Sequence, residues 1–320
     1  MLFALVLVGL DRLIGATFRS LYFRTRSGEG GGLINRALTQ NPEILILGSS
    51  RAKHHFNPAI ISQTLGMSTY NAGINGQDFL YAAMLLDVLH QTNTPPKIIL
   101  FHIDRASFGE DGREITKAKV FSYYLERSDV VRETLLESFA DELKYLSLSY
   151  RANGKVLPIL SNLKARPESE NGFVGLKGLM NVPLANDRPT PAPWNFKLKL
   201  LNRIARNCRA TGTKLVFVNS PRFIVDDIER NEHEVWRAQM AEILKPYPEI
   251  RFLEVNSFSH RGTFQRPELY RDSDHLNEAG AEVFSRTLAD ELKRRSGARE
   301  SFPEAQTELK TNASQAFDRR

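Results

Sequence analysis

The chain has 320 residues, 42% hydrophobic and 25% charged, and 43 Lys and Arg against 37 Asp and Glu give a formal net charge of +6. This composition excludes collagen-like, coiled-coil and wholly disordered chains, and the length suits one large domain or two small ones. The positive excess is spread along the sequence rather than blocked, so it specifies no nucleic-acid partner and suits an anionic membrane or polysaccharide equally well. A single cysteine, Cys208, excludes an internal disulfide and a multi-cysteine metal site and decides nothing about compartment.

The chain opens with MLFALVLVGLDRLIGATF, in which an apolar run up to Leu10 is interrupted by Asp11 and Arg12 and resumes at Leu13. As a helix this stretch would extend about 27 Å, just short of the roughly 30 Å hydrocarbon layer, and its two central charges would each cost about 2.5 to 3.5 kcal/mol unless paired. Residues 1–26 are therefore expected to form a membrane anchor, with a buried amphipathic helix as the alternative. A cleaved signal fits less well, since no basic residue precedes the apolar run and no small-x-small cleavage site follows it. Arg19, Arg24 and Arg26 follow the run, which by the positive-inside rule alone would keep the domain cytoplasmic. The glycine-rich SGEGGG places a flexible linker over 27–34, and the folded domain is expected over 35–296. Residues 297–320 have few large apolar side chains and read as a disordered tail.

Within the domain, short apolar runs without alternation mark strands buried on both faces of a parallel sheet. They are EILILG from Glu43, STYNAG from Ser68, KIILFHID from Lys97, KLVFVN from Lys214 and IRFLEV from Ile250. Amphipathic stretches over 78–91, 196–210 and 233–244 read as the intervening helices, which makes the fold α/β. The rhythm fails over about 108–194, where a helical region at 130–148 precedes loop-rich sequence. This is an insertion between the third and fourth strands, placed where it can shape access to a site. In such sheets ligands bind beyond the carboxyl ends of the strands, so the residues that follow each strand carry the chemical interest.

After the first strand comes GSSRAKHHFNP, from Gly48 to Pro58, which puts a serine at the start of a helix. On its own this is an ordinary N-cap. After the last strand comes RDSDHLNEAG, in which Asp272 and His275 stand three apart in a polar turn before a helix capped by Asn277. Such a turn can present a carboxylate that orients an imidazole, the second half of a nucleophile, base and acid relay. The adjacent His54 and His55 invite a metal reading, but neighbouring helical residues diverge by about 100° and no carboxylate or cysteine supports them. No metal and no cofactor is therefore expected.

The combination resembles the SGNH, or GDSL-like, hydrolase superfamily over roughly Glu43 to Leu292. The resemblance implies a flavodoxin-like three-layer sandwich with a five-stranded, mostly parallel sheet. It also implies Ser50 as nucleophile, His275 as general base and Asp272 as its orienting acid. Gly73, in YNAGINGQ, matches the second family block, whose glycine N–H joins that of Ser50 in the oxyanion hole. Ser49 replaces the usual aspartate, and HIDR (His102 to Arg105) replaces the usual Gly-x-Asn-Asp, so Asn75 is the candidate for the missing amide donor and Arg51 for a contact to an anionic acceptor. Gly-Ser-Ser with an apolar N-terminus is most similar to a membrane-attached branch that includes DltD and the alginate O-acetylation proteins. That similarity implies ester hydrolysis or O-acyl transfer on a cell-envelope polysaccharide or glycoconjugate, with the catalytic domain periplasmic or extracellular. The expected partners are an acylated or acceptor glycan, the membrane and a membrane O-acyltransferase, and no nucleic acid. The alternative is a catalytically inactive module of the same fold that binds glycan or an acyltransferase. A phosphate- or nucleotide-binding domain is disfavoured, since neither a P-loop nor Gly-x-Gly-x-x-Gly follows any strand.

Overall fold

A computed structural model describes residues 1–92, 95–181, 183 and 189–297. Each expected strand forms: β1 Ile44–Leu47, β2 Thr69–Asn71, β3 Ile98–His102, β4 Lys214–Asn219 and β5 Arg251–Glu254. All are paired in parallel in the order β2-β1-β3-β4-β5. The fold is thus a flavodoxin-like α/β sandwich whose strand order reverses at β1 and β3, which is where ligands of such sheets sit.

The helices are α1 Leu2–Arg24, α2 Leu33–Gln40, α3 Ser50–His55, α4 Pro58–Leu65, α5 Phe79–Thr92, α6 Gly112–Ala118, α7 Asp129–Leu135, α8 Phe139–Leu146, α9 Val156–Asn162, α10 Asn195–Thr211, α11 Asp227–Leu244, α12 Arg261–Phe264 and α13 Glu278–Gly297. The run of apolar residues in β1 is explained by burial on both sides. Ile44 and Ile46 meet Ala52, Phe56, Ile61, Phe284 and Leu288 from α3, α4 and α13 and their joins, while Leu45 and Leu47 face the core built with α2, α5, α10 and α11.

The insertion holds α6 to α9. The helix expected over 130–148 is two, because Ser128 and Ser138 each accept a helix-starting N–H, from Val131 and Asp141, and so start separate helices. Helix α11 begins earlier than expected, at a cap made by Asp226, whose carboxylate accepts the N–H of Glu229 at 3.0 Å.

The N-terminal region departs from expectation in two respects. Residues 1–10 of α1 are exposed all round, but from Asp11 onward Asp11, Gly15, Phe18 and Tyr22 turn one stripe toward the domain. Asp11 accepts the N–H groups of Leu148 and Ser149 at 3.1 Å, and the hydroxyls of Ser147 and Ser149 hold its carboxyl well below the usual carboxylate range. A charge that would be costly in lipid is thereby satisfied by protein. Tyr22 is fully buried and donates its hydroxyl to the Val120 carbonyl at 3.0 Å.

The glycine-rich segment, in turn, is not a free linker. Gly28–Gly32 form a wide turn, with Ser27, Gly31 and Gly32 buried. Gly31 has φ 132°, and a Cβ there would lie 2.1 Å from the Tyr22 ring, so glycine is needed both for conformation and for room. No helix among the described residues is long and apolar enough to cross a membrane. The tail expected from 297 lies outside the described residues beyond Gly297.

Candidate active site

The turn after β1 is built for close approach. Gly48 has φ 129°, and a Cβ there would stand 2.9 Å from that of His102 on β3. The chain then extends through Ser49 and enters α3 at Ser50, so the Ser50 N–H is one of the helix-starting donors without an intrahelical acceptor. Its side chain meets the loop before α13: Ser50 Oγ lies 2.8 Å from His275 Nε2. On the far side of the ring, His275 Nδ1 lies 3.0 and 3.2 Å from the two oxygens of Asp272. An ionised carboxylate only accepts, so Nδ1 carries the proton and Nε2 presents its lone pair to the serine hydroxyl. Asp272 is held in turn by its own loop, accepting the N–H groups of Asp274 and His275 at 2.9 Å each.

Two further groups on α3 fix the distance between Ser50 and His275. His55 is fully buried, and its Nε2 accepts the N–H of Leu276, the residue after His275, at 3.0 Å. Its Nδ1 therefore bears hydrogen and donates to Ser220 Oγ at 2.8 Å. Burial, assisted by the nearby His275, keeps this imidazole neutral, its pKa well below the usual histidine value.

Arg51 does not point to a solvent-facing acceptor site as expected. Its guanidinium, 11% exposed, meets Asp274 at 3.0 Å and Asp104 at 3.8 Å, joining the loop after β3 to the His275 loop. Its charge is already balanced, so the anion-binding role is replaced by a bracing one. Asp274, the nearest substitute for Asp272, is itself engaged by Arg51 and, at 3.2 Å, by Arg222.

The oxyanion side also departs from expectation. The single N–H of Gly73 donates to Asn71 Oδ1 at 2.9 Å, so it is not aimed at a reacting carbonyl. Asn71 in turn donates to the carbonyls of Ala52 and Phe56 at 2.7 and 2.8 Å, which ties β2 to α3. Glycine is required at 73 for another reason: a Cβ there would lie 2.6 Å from the Lys53 nitrogen. Ile74 N–H then binds the Gly48 carbonyl at 3.0 Å, which sets Asn75 on a loop fastened to the turn before Ser50. The Oδ1 atom of Asn75 is buried without a hydrogen-bond partner. In the third block, burial raises the Asp104 pKa but Arg51 and His102 outweigh it, and the net shift is downward. Asp104 is thus an ionised acceptor, serving Ala106 N–H at 2.8 Å, and is no substitute for an amide donor.

The insertion contributes a strap, Asn171 to Met180, that crosses the site. The Asn171 carbonyl accepts the N–H of Asn71 at 2.9 Å, Val174 N–H donates to the Lys53 carbonyl at 3.2 Å, and the Leu176 carbonyl accepts the N–H of Glu278 at 2.8 Å. His54, on α3, binds the Val174 carbonyl through Nδ1 at 2.6 Å. The paired histidines therefore diverge, one to the strap and one to Ser220. Asn71 has no signal in the sequence, and His55 is marked there only by its adjacency to His54.

No family model and no curated protein matches the chain. Among solved structures, a protein from Streptococcus pneumonia, provisionally assigned as a platelet activating factor, is similar with 14% identity and a TM-score of 0.42, covering 91% of this chain and 99% of that one.

Proposed function

We propose that the chain is a serine-dependent O-acyl esterase or O-acyltransferase of SGNH type, acting on a cell-envelope polysaccharide or glycoconjugate from a membrane-held domain. The observation that carries this reading is the continuous contact from Ser50 Oγ through His275 to Asp272, at 2.8 and 3.0 Å, at the carboxyl edge of the sheet. Ser50 Oγ attacks the acyl carbonyl while His275 Nε2 takes its proton, and Asp272 stabilises the resulting imidazolium. The Ser50 N–H at the start of α3 faces the developing oxyanion, and the Asn75 amide supplies the second donor in place of Gly73. The proton then passes from His275 to the leaving alkoxide, and water or a sugar hydroxyl resolves the acyl-enzyme. The envelope substrate and outward-facing location rest on the similarity of the Gly-Ser-Ser turn and apolar N-terminus to the membrane-attached branch.

A second reading, an inactive module that binds glycan or an acyltransferase, is favoured by the engaged Gly73 N–H and the anionic Asp104. The two readings separate in one experiment. The full chain is treated with a fluorophosphonate probe and assayed with p-nitrophenyl acetate and acetylated glycans, beside Ser50→Ala. Labelling of Ser50 with acetate release that the variant lacks supports the enzyme. An unlabelled wild-type chain that binds glycan overturns it in favour of the module.

A further inference from the structure

Apart from Leu179, Val225, Ile228 and Val235, the large apolar side chains exposed among the described residues all lie within residues 1–14 or on α8 and α9. Residues 2–10, LFALVLVGL, carry no polar side chain and are open on every side, so no single protein groove could cover them. Where this bare segment ends, α1 is fastened to the end of α8: Arg12 donates to the Leu146 carbonyl at 3.2 Å, and Gly15 lies against Leu148 so closely that a Cβ would stand 2.2 Å away. Around that junction α8 exposes Phe139, Leu143 and Leu146, one stripe at i, i+4 and i+7, and α9, which also packs on α1, exposes Leu157 and Leu160.

Charge gathers on the same side. Residues 1–26 hold four arginines against Asp11, and residues 138–166 hold five Lys and Arg against Asp141 and Glu142. Each segment is thus +3, and together they account for the whole net charge of +6, the rest of the chain being balanced. Lys155 is buried and Arg151 is paired with Glu126, so it is the exposed arginines of α1 together with Lys144, Lys164 and Arg166 that make the surface around the base of α1 cationic as well as apolar. Since residues 27–34 are packed rather than free, the domain has no slack, and this surface must meet whatever residues 1–10 enter.

We infer that α8 and α9 rest on the surface of an anionic lipid bilayer into which residues 1–10 insert. The membrane then holds the domain by two contacts in a set orientation, with the stripe of α8 at the acyl boundary and the basic side chains among lipid phosphates. This inference extends the membrane-held reading above and does not depend on ester chemistry.

The test uses the full chain with bimane attached at Leu143→Cys, at Leu5→Cys or, as a control, at Val235→Cys. The native Cys208 is buried, and burial pushes its thiol up to about 12, so it stays unlabelled. Vesicles contain phosphatidylcholine alone or with one part in three phosphatidylglycerol, and a nitroxide-labelled lipid serves as quencher. Expected are quenching at 5 and 143 but not at 235, binding to anionic vesicles at least tenfold tighter than to neutral ones, and loss of that preference in high salt. Phe139→Asp with Leu143→Asp should weaken binding at least tenfold without changing Tm. Quenching at 5 alone, or binding unchanged by the double substitution, would overturn the inference. So would concentration-dependent self-association that the double substitution abolishes, with no quenching at 143, because the face would then belong to a protein contact.

Discussion

Asp272→Asn isolates the acid of the proposed relay without disturbing its loop. In the structure Asp272 Oδ1 accepts two backbone N–H groups at 2.9 Å and lies 3.0 Å from His275 Nδ1, while Oδ2 lies 3.2 Å from the same nitrogen. An asparagine keeps the Oδ1 acceptor and therefore the turn, but sets an NH2 donor where Oδ2 was. The imidazole answers by presenting the Nδ1 lone pair to that donor and moving its proton to Nε2, where it faces Ser50. The base is then blocked, and the imidazolium formed on attack loses its anionic neighbour. Reversal of this kind in a serine-protease triad costs about ten-thousandfold in kcat, or about 5.5 kcal/mol of transition-state stabilisation. Here Asp274 cannot take over, since Arg51 and Arg222 already hold it. The assay is the hydrolysis rate of p-nitrophenyl acetate, with circular dichroism and Tm to show an unchanged fold. A folded variant within about tenfold of wild-type kcat would refute the role assigned to Asp272.

His55→Leu removes the acceptor of the Leu276 N–H, and kcat should fall at least tenfold with KM within about twofold, while His55→Gln, which can still accept, recovers much of the loss; equal kcat in all three would refute the bracing role. His102 is buried with neither ring nitrogen hydrogen-bonded, and burial lowers its pKa to about 3. Below about pH 6.5 the unfolded imidazole binds a proton that the folded one refuses, so stability falls as pH drops; urea unfolding of His102→Phe should lose about 1.5 to 2 kcal/mol less than wild type between pH 6.5 and 5, and a pH-independent difference would refute this. Lys197→Met strips the Glu114 carboxylate of an ammonium partner 2.7 Å away, both side chains being almost fully buried, and should cost about 3 to 5 kcal/mol in urea unfolding; a loss under about 1 kcal/mol would show that the pair is dispensable. Removal of residues 1–10 should leave Tm within a few degrees, whereas removal of residues 1–27 deletes the buried Tyr22 and should give insoluble protein, and a cooperative, soluble chain after the longer deletion would refute the packing assigned to α1.

What could be read in advance was what is encoded over a few neighbouring residues. The four residues of β1 are all buried, so an unbroken apolar run follows from burial on both faces and betrays a parallel strand directly. Ser50 and the Asp272-x-x-His275 turn were legible for a similar reason, each being a local pattern placed just after a strand. What remained hidden are pairings across the chain. His55 and Leu276 are separated by 221 positions and Arg51 and Asp274 by 223, and nothing in either neighbourhood names the other.

The misread segments share one physical cause, that a residue was assigned a role in isolation when the role was set by a neighbour. SGEGGG looked like slack because glycines bring no packing surface of their own. In the fold their backbone is the surface, and the Tyr22 ring lies against it because Gly31 has no Cβ. Gly73 was expected as an oxyanion donor from its match to the second family block, yet Asn71, two residues earlier, captures its N–H. Arg51 looked like a free cation beside the nucleophile, yet loops after β3 and before α13 each bring it a carboxylate. For Gly73 and Arg51 the competing group comes from the site's own frame, and its effect is to stiffen the frame around Ser50 and His275. For the proposed reaction, a site braced in this way would hold Ser50 and His275 in place before substrate arrives, which is what a relay of hydrogen bonds at 2.8 and 3.0 Å requires.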